Sequence, residues 1–318
     1  MIEVTKLVKY YGEKKAVDSV SFRVNEGEIL GFLGPNGAGK STIMNILTGY
    51  LSATSGRVSV GGFDILEKPS DAKKCIGYLP ELPPLYLDMT VSEYLDFICR
   101  LKGVDANLRR KHAANIMSMV NILSVNDRMI KNLSKGYRQR VGIAQALVGD
   151  PPIVILDEPT IGLDPRQIIE IRSLINNLRG KRTVLISTHI LSEVQAMCDR
   201  VVIINHGRIV AEDTPVNLSK RLTGPYKIVV GFKSDNPDII SYLKNIAGVR
   251  HVNPIRQLDG TQYFDIVSED QTDPRVSIFE MASLNKLPLI ECRSPEMSME
   301  DIYLKVVDSD PVKGRQTK

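Results

Sequence analysis

The sequence predicts an α/β fold followed by a small α+β domain, on three observations. From residue 1 to about 220, short β-branched runs alternate with helical patterns, which is typical of parallel strands covered by helices. A longer helical stretch interrupts this alternation at about residues 90–150. Beyond about residue 225 the order of the runs becomes β-α-β-β-α-β, the order of a ferredoxin-like sandwich.

The first domain, predicted over residues 1–220, begins each unit with a strand and continues with a helix. The strand "GEILGFLG" precedes the helical "KSTIMNILTG", and "PPIVILDEP" precedes "RQIIEIRSLINNLRG". A helix, "ILSEVQAMCD", follows His189. The stretch "RVVIINHGRIVAED" then predicts two short strands around a turn at His206 and Gly207.

The helical stretch at about residues 90–150 opens with "TVSE", in which Thr90 and Glu93 have the spacing of a capping box. Helical patterns continue through "YLDFICRLKG" and "LRRKHAANIMSMVNIL". These patterns predict a helical subdomain inserted into the α/β domain.

The second domain is predicted over residues 225–308, after a Gly-Pro pair in "SKRLTGPYK" that indicates a linker. Its strands are predicted at "YKIVVGF", "VRHVNPIRQ", "TQYFDIVSE" and "LPLIECR", and its helices at "PDIISYLKNIAG" and "RVSIFEMASLNK". A last helix, "SMEDIYLKVV", follows these elements. The polar tail, residues 309–318, is predicted to be flexible.

The composition excludes some classes of protein. With 41 basic and 37 acidic residues in 318, the charge is too balanced for a chain that mainly neutralises phosphate backbone, so no nucleic acid partner is expected. The amino terminus lacks the layout of a signal peptide, and no stretch has the roughly 18 apolar residues of a spanning helix. We therefore expect a cytosolic chain, with its four cysteines as buried, reduced thiols.

A phosphate-binding loop is predicted at "GPNGAGKS", which fits G-x-x-x-x-G-K-[ST] and lies between a strand and a helix. The glycines let backbone N–H groups converge on phosphate oxygens at the helix N-terminus. Lys40 would supply charge to the β- and γ-phosphates, and Ser41 a hydroxyl to Mg²⁺. The predicted nucleoside triphosphate site comprises Gly34, Pro35, Asn36, Gly37, Ala38, Gly39, Lys40, Ser41 and Thr42.

Two adjacent acids end the buried strand "IVILDEP". Neighbouring side chains of a strand point to opposite faces, so Asp157 and Glu158 can serve different tasks. Asp157 would lie behind the ligands of Mg²⁺, and Glu158 would polarise the attacking water as general base. Solvated acids at a strand end are the alternative, but the phosphate loop favours a catalytic pair.

The motifs "GPNGAGKST", "LSKGYRQR", "VILDEPTIGLDP" and "STH" follow one another in the order found in one family. Over about residues 1–220 the chain resembles the ATPase subunit of an ATP-binding cassette (ABC) transporter. The resemblance implies a P-loop NTPase fold with a mixed sheet and a helical subdomain. It also implies ATP and Mg²⁺ as cofactors, and ATP hydrolysis coupled to transmembrane transport.

The resemblance assigns roles to single residues. Tyr11 in "YYG" is similar to the aromatic residue that stacks on adenine, with Tyr10 as the alternative. His189 resembles the histidine that contacts the γ-phosphate, so His189, Glu158 and Lys40 form the expected catalytic set. Asp164 in "GLDP" resembles the residue that communicates across the dimer interface.

Glu81 in "IGYLPE" departs from the family, which usually has glutamine there in contact with Mg²⁺ and the attacking water. A carboxylate can still bind a hard cation, although it brings negative charge towards the triphosphate. Either Glu81 is a ligand of Mg²⁺, or it points elsewhere, towards the membrane partner.

"LSKGYRQR" is found where the family has its LSGGQ signature. Ser134, placed like an N-cap, would direct its hydroxyl to the γ-phosphate held by a second chain, and Gly136 would allow close approach of the backbone. Lys135 and Tyr137 replace the first signature glycine and the glutamine of the family. The two arginines that follow are expected to be solvated or paired with acids.

The resemblance implies partners. Two related ATPase chains, identical or not, would face each other head to tail and act on integral-membrane permease subunits. "LSKGYRQR", "YLPE" and "SMEDIYLKVV" are similar to an exporter branch whose ATPase and membrane subunits are separate chains, for multidrug export, polysaccharide or lantibiotic export, or gliding motility. The expected location is cytoplasmic, peripheral on the inner face of the cell membrane through the permease.

Two alternatives stay open. A soluble cassette ATPase acting on DNA or ribosomes usually carries two cassettes, a long coiled coil or a zinc site, and the sequence shows none of these. A non-catalytic nucleotide switch is the other alternative, and the presence of Glu158 argues against it. The transported substrate is not predicted, because the membrane subunit selects it.

Overall fold

A computed structural model describes residues 1–222, 227–268 and 273–294. These residues form two compact units, one over Met1–Pro215 and one beginning at Val216. The strands of the first unit are β1 (Ile2–Tyr11), β2 (Lys14–Val24), β3 (Ile29–Leu33), β4 (Ser55–Val60), β5 (Phe63–Asp64), β6 (Ile76–Leu79), β7 (Ile153–Asp157), β8 (Thr183–Thr188), β9 (Arg200–Asn205) and β10 (Arg208–Asp213). Its helices are α1 (Lys40–Leu47), α2 (Pro69–Lys74), α3 (Val91–Leu101), α4 (Arg109–Met119), α5 (Lys135–Leu147), α6 (Pro165–Asn176) and α7 (Leu191–Met197), with short 3₁₀ helices at Leu123–Val125 and Ile130–Asn132. Helix α8 (Pro215–Leu222) spans the division.

The main sheet of the first unit has six strands in the order β10-β9-β3-β8-β7-β6. Strands β3, β6, β7, β8 and β9 are parallel, and β10 pairs antiparallel with β9. Every residue of β3, β7 and β8 is buried, as expected for parallel strands covered on both faces. The predicted mixed sheet is confirmed, including the turn at His206 and Gly207, where both residues have positive φ.

A second, antiparallel sheet has the strand order β2-β1-β4-β5 and was not predicted from the sequence. Buried residues at Ile2, Val4 and Leu7 of β1 join one apolar core with Ile43 and Met44 of α1. This core also includes residues of the six-stranded sheet. Helix α1 is therefore held by apolar contacts to both sheets, and these contacts fix the position of the loop at its N-terminus.

The elements between Val91 and Leu147 are helices, as predicted. The capping box at the start of α3 is confirmed: Glu93 N donates to Thr90 Oγ1 (3.2 Å), and Thr90 N donates to Glu93 Oε2 (2.8 Å). Tyr94 and Leu95 of α3 are fully buried. None of the helices among the described residues is long and apolar enough to cross a membrane.

The second unit contains β11 (Lys227–Phe232), α9 (Ile239–Lys244), β12 (Val249–Leu258), β13 (Thr261–Ser268), α10 (Arg275–Leu284) and β14 (Leu289–Arg293). Its antiparallel sheet has the order β12-β13-β11-β14. Leu243 of α9 and Ile278 of α10 pack in one core with Val230, Phe264 and Ile266. The β-α-β-β-α-β order is confirmed, with the strand order of a ferredoxin-like sheet.

Three predictions lie outside the described residues: the linker at the Gly-Pro pair, the helix at residues 298–307 and the tail at residues 309–318. The four cysteines are free thiols. Cys99 and Cys198 are buried as expected, whereas Cys75 and Cys292 are half-buried. Burial raises the pKa of Cys198 to about 12, which keeps it protonated and unreactive at neutral pH.

Candidate functional site

The predicted phosphate loop connects the carboxyl end of β3 to α1. Gly39 has φ of 107° at the N-cap of α1, a conformation that L side chains rarely adopt. A Cβ atom at this position would lie 2.6 Å from the carbonyl oxygen of Ala16. Only glycine therefore fits here, and the backbone of the loop lies exposed at a helix N-terminus, where N–H groups can bind phosphate oxygens.

The side chain of Lys40 is 6% exposed and folds back over this loop. Its Nζ donates to the carbonyl oxygens of Gly34 (2.7 Å) and Pro35 (3.3 Å). Burial lowers the pKa of Lys40, and nearby carboxylates, Glu158 the strongest, oppose that shift. The ammonium group thus lies between the phosphate loop and the acidic end of the sheet.

A cavity of about 450 Å³ opens above the loop. The predicted site residues that line it are Tyr11, Asn36, Gly37, Gly39, Lys40, Ser41, Thr42, Glu81, Glu158 and His189. Tyr11 lines the cavity and Tyr10 does not, which favours Tyr11 over its alternative. The cavity is also lined by residues that were not predicted from the sequence to belong to the site: Lys14, Lys15, Ala16, Ile161, His206 and Gly207.

The two adjacent acids have different surroundings, although strand alternation is not the cause, because β7 ends at Asp157 and Glu158 follows it. Glu158 has φ of 48°, an uncommon conformation for a residue with a side chain, and its N–H donates to Ser187 O of β8 (2.9 Å). Glu158 lines the cavity, whereas Asp157 lies behind the lining. Strain of this kind costs about 1–3 kcal/mol and is concentrated at functional sites.

Both carboxyl groups are buried, with exposed fractions of 4% for Asp157 and 6% for Glu158. Burial raises the pKa of each. Within the described part of the chain, Asp157 Oδ1 and Glu158 Oε2 have no hydrogen-bond partner. Buried carboxylate oxygens need a proton, a water molecule or a cation as partner. The two acids therefore fit a site that binds a water molecule or a cation.

His189 follows β8, and its Nδ1 lies 2.9 Å from Glu158 Oε1. The histidine side chain is 43% exposed and the glutamate side chain 8%. The hydrogen bond from His189 lowers the pKa of Glu158, against the larger effect of burial. A half-exposed imidazole and a buried carboxylate therefore meet at the cavity wall.

The oxygens near Lys40 suit a hard divalent cation. Ser41 and Glu81 both line the cavity, and Asp157 lies behind it. Among the described residues, no three His, Cys, Asp or Glu side chains form a metal-binding group. Mg²⁺ in nucleotide sites is usually held by one or two protein oxygens together with substrate phosphates, which this donor set can supply.

The signature residues lie apart from this cavity. Ser134 and Gly136 line a separate cleft of about 280 Å³. Ser134 is the predicted N-cap of α5, and its Oγ accepts from Tyr137 N (3.4 Å). A Cβ atom on Gly136 would lie 2.5 Å from Gln167 Cδ, so a larger residue there would displace the end of the Gln167 side chain.

The arginines after the signature are engaged within the chain. Arg140 is 8% exposed, forms an ion pair with Glu170 and donates to Val120 O (3.0 Å). Arg138 Nε donates to Leu133 O (3.0 Å). The expected pairing with an acid is confirmed for Arg140.

Asp164 is the N-cap of α6, where its Oδ1 accepts from Gln167 N (2.9 Å). Pro165 occupies the first turn of that helix, as proline often does. An Asp-Pro pair before a helical pattern is a signal of a helix start, and it was available in the sequence. Asp164 therefore has a structural role besides its expected place at a dimer interface.

Comparisons with known proteins agree with this geometry. The family model described as "ABC transporter" matches residues 17–161. The linearmycin resistance ATP-binding protein LnrL of Bacillus subtilis (strain 168) is 30% identical over 307 residues, 96% of this chain and 98% of the relative. The Nod factor export ATP-binding protein I of Neorhizobium galegae is 35% identical over 311 residues, 96% of this chain and 84% of the relative.

A solved ATP-binding cassette, dimeric in a post-hydrolysis state and bound to ADP and Pi, superposes with a TM-score of 0.62. It is 26% identical, and the match covers 67% of this chain and 98% of that structure. The relatives, the shared cassette fold and the cavity at the phosphate loop lead to one conclusion. The chain belongs to the ABC transporter family, as an ATP-binding subunit that hydrolyses ATP.

Proposed function

We propose that the chain uses ATP hydrolysis to energise export through separate membrane subunits. The observation that carries the proposal is the shared cavity, in which the phosphate loop, Glu158 and His189 face one space. Relatives named for Nod factor export and linearmycin resistance support export as the direction.

The residues that line the cavity have different roles in ATP binding and hydrolysis. The phosphate loop and Lys40 bind the β- and γ-phosphates, and Tyr11 stacks on adenine. Glu158 accepts a proton from the attacking water, and His189 contacts the γ-phosphate beside it. The reaction is phosphoryl transfer to water, in which positioning and electrostatics supply the catalysis.

We further propose a Mg²⁺ site at Ser41 and Glu81, with Asp157 behind them. The buried, unpartnered Asp157 Oδ1 supports it, because a buried carboxylate oxygen needs a donor or a cation nearby. When bound, Mg²⁺ neutralises charge on the β- and γ-phosphates. Glu81 differs from the usual glutamine by adding one negative charge at the exposed side of the cavity.

The working unit is proposed to be a head-to-tail dimer of this chain or of this chain with a relative. Ser134, Lys135 and Gly136 then face the nucleotide of the partner, and Asp164 lies at the interface. Their separation from the Lys40 cavity supports this, since one chain alone leaves its signature residues without a nucleotide. A similar cassette bound to ADP and Pi was solved as a dimer.

Mixing two inactive variants tests the dimer. Lys40→Ala disables the loop side of the site, and Ser134→Ala disables the signature side, so each homodimer has two damaged sites. A mixed dimer has one intact site and one doubly damaged site. Random mixing should restore about a quarter of the parental ATPase activity, because half the dimers are mixed and each has one working site. A mixture no more active than its components would contradict a symmetric composite site.

A groove in the first unit is the proposed contact with the permease. It has a volume of about 1170 Å³, and Tyr78, Pro84, Ile98 and Leu101 contribute to its walls. Leu101 is 68% exposed and Tyr50, which also lines the groove, is 82% exposed, and several exposed apolar side chains around one groove are typical of a docking surface for another protein.

Co-purification from detergent extract tests this contact. Leu101→Asp should abolish recovery of the membrane subunit and leave the ATPase activity of the isolated chain intact. Leu66→Asp is the matched control, because Leu66 is 62% exposed and does not line the groove. Equal recovery with both variants would exclude the groove as the docking site.

A further inference from the structure

The carboxylate of Glu193, on α7, is fully buried between two threonine hydroxyls. Thr160 Oγ1 donates to Glu193 Oε1, and Thr188 Oγ1 donates to Glu193 Oε2 at 3.0 Å. Both threonines are buried as well. One side chain therefore bridges two segments that are far apart in the sequence.

These two segments carry the reacting groups of the proposed site. Thr160 lies two residues after Glu158, and Thr188 lies immediately before His189. Glu158 and His189 meet at 2.9 Å across the gap between the segments. Any shift of one segment relative to the other would change that distance.

A carboxylate satisfies both hydroxyl protons of this contact, which an amide cannot do. Thr188 Oγ1 already accepts from Ile190 N (3.0 Å), so its hydroxyl proton is available to donate to Glu193. An ionised carboxylate offers only acceptors and can take a hydroxyl proton on each oxygen. A glutamine can accept from only one of the two hydroxyls: its N–H₂ group must donate to the other, and the buried proton of that hydroxyl then loses its acceptor.

The positive φ of Glu158 has an energetic cost that the contacts around it offset. A residue with a side chain keeps this conformation only when its surroundings impose it. Gln139 Nε2 donates to Pro159 O (2.9 Å) on one side of the segment, and Glu193 holds Thr160 on the other. The residues after Glu158 are thus fixed to two helices.

We propose that Glu193 is a positioning residue for hydrolysis, which keeps Glu158 and His189 in register by bonding Thr160 and Thr188. The inference rests on the proposed roles of Glu158 and His189. Glu193 does not line the cavity, so it acts through its neighbours and not on ATP. A displacement of about 1 Å at a reacting group can cost on the order of 100-fold in rate.

The test compares Glu193→Gln with Gln195→Ala, an exposed position on the same helix. We expect Glu193→Gln to lower kcat at least tenfold while the Kd for ATP, measured by calorimetry in EDTA, stays within about twofold. Gln195→Ala should behave like the parent. Parental kcat for Glu193→Gln, or a parallel loss of kcat and ATP affinity, would overturn the proposal.

Variants of Thr160 provide a second test, which can be carried out even if Glu193→Gln does not fold. Thr160→Val removes one hydroxyl and should lower kcat, whereas Thr160→Ser keeps the hydroxyl and should restore it. Equal kcat for these two variants would also overturn the proposal. Glu158→Gln, measured in parallel, separates the claims: if it hydrolyses ATP like the parent, the proposed base fails, and if only Glu193→Gln does so, the bridge fails.

Discussion

His189 Nδ1 lies 2.9 Å from Glu158 Oε1, so the two side chains form a hydrogen-bonded pair at the wall of the nucleotide cavity. The His189 side chain is half-exposed in the cavity, whereas the Glu158 side chain is buried. Burial raises the pKa of Glu158 and His189 lowers it, so the histidine helps to keep the carboxylate ionised. An ionised Glu158 is what general-base catalysis requires.

The first prediction concerns the pH dependence of turnover. A base must be deprotonated, so kcat should fall as the pH drops through the raised pKa of Glu158. His189→Ala removes the bond that lowers this pKa, and the acidic limb of the kcat profile should therefore move to higher pH. His206→Ala is the control, because His206 lines the same cavity whereas the histidine bonded to Glu158 is His189. An unshifted acidic limb in His189→Ala would refute the coupling.

Lys40→Ala should weaken ATP binding. The ammonium group is buried against the phosphate loop, and its removal leaves the phosphates with backbone donors alone. Calorimetry should show at least a tenfold rise in Kd, or about 1.4 kcal/mol. Lys14→Ala, which changes an exposed lysine of the same cavity, should have a smaller effect. Unchanged affinity in Lys40→Ala would contradict the assigned role.

Glu81→Gln should keep the ATPase activity. The variant restores the residue that the family usually has there, and an amide oxygen can still bind Mg²⁺. It also removes one negative charge from the side of the triphosphate. A loss of more than tenfold in turnover at saturating ATP and Mg²⁺ would show that this chain depends on a carboxylate at that position.

Asp157→Asn should stabilise the nucleotide-free protein at neutral pH. Burial raises the folded-state pKa of Asp157, so the native state binds the proton more tightly than the unfolded state. The free energy of unfolding therefore falls as the pH rises from the pKa of Asp157 in the unfolded state to its higher pKa in the native state. Above the native pKa this loss of stability is complete and remains. Asparagine removes that loss, so differential scanning calorimetry at neutral pH should show a higher Tm than for the parent.

Asp18→Asn is the control of opposite sign. Hydrogen bonds from Lys15 and Arg208 lower the pKa of Asp18, so its charge stabilises the native state above the unfolded pKa. Asp18→Asn should lower Tm at neutral pH. If Asp157→Asn also lowered it, the buried carboxyl would be stabilising, and the account of its environment would be wrong.

The sequence was informative where a local pattern determines local geometry. The strand before Gly34, the capping box at Thr90 and the adjacent acids at the end of β7 follow from spacing and residue type. The phosphate loop could be predicted because glycine at position 39 meets a steric requirement that no other residue meets.

The sequence was less informative where chain segments meet in space. Lys14, Lys15, His206 and Gly207 reach the cavity from a strand and a turn remote from the loop, and no spacing indicates that. The contacts of Glu193 with Thr160 and Thr188 depend on the packing of α7 against two strand ends. The antiparallel sheet that includes β1 has shifts of register between its strands, and these obscure the period of two in the sequence.

The central claim is that Glu158 is the base for hydrolysis of ATP held at the phosphate loop. The most direct measurement is single-turnover hydrolysis by Glu158→Gln, together with its ATP affinity and its mass in solution. The account predicts parental ATP binding, an ATP-dependent dimer and hydrolysis slowed about 100-fold or more. Hydrolysis at the parental rate would contradict it.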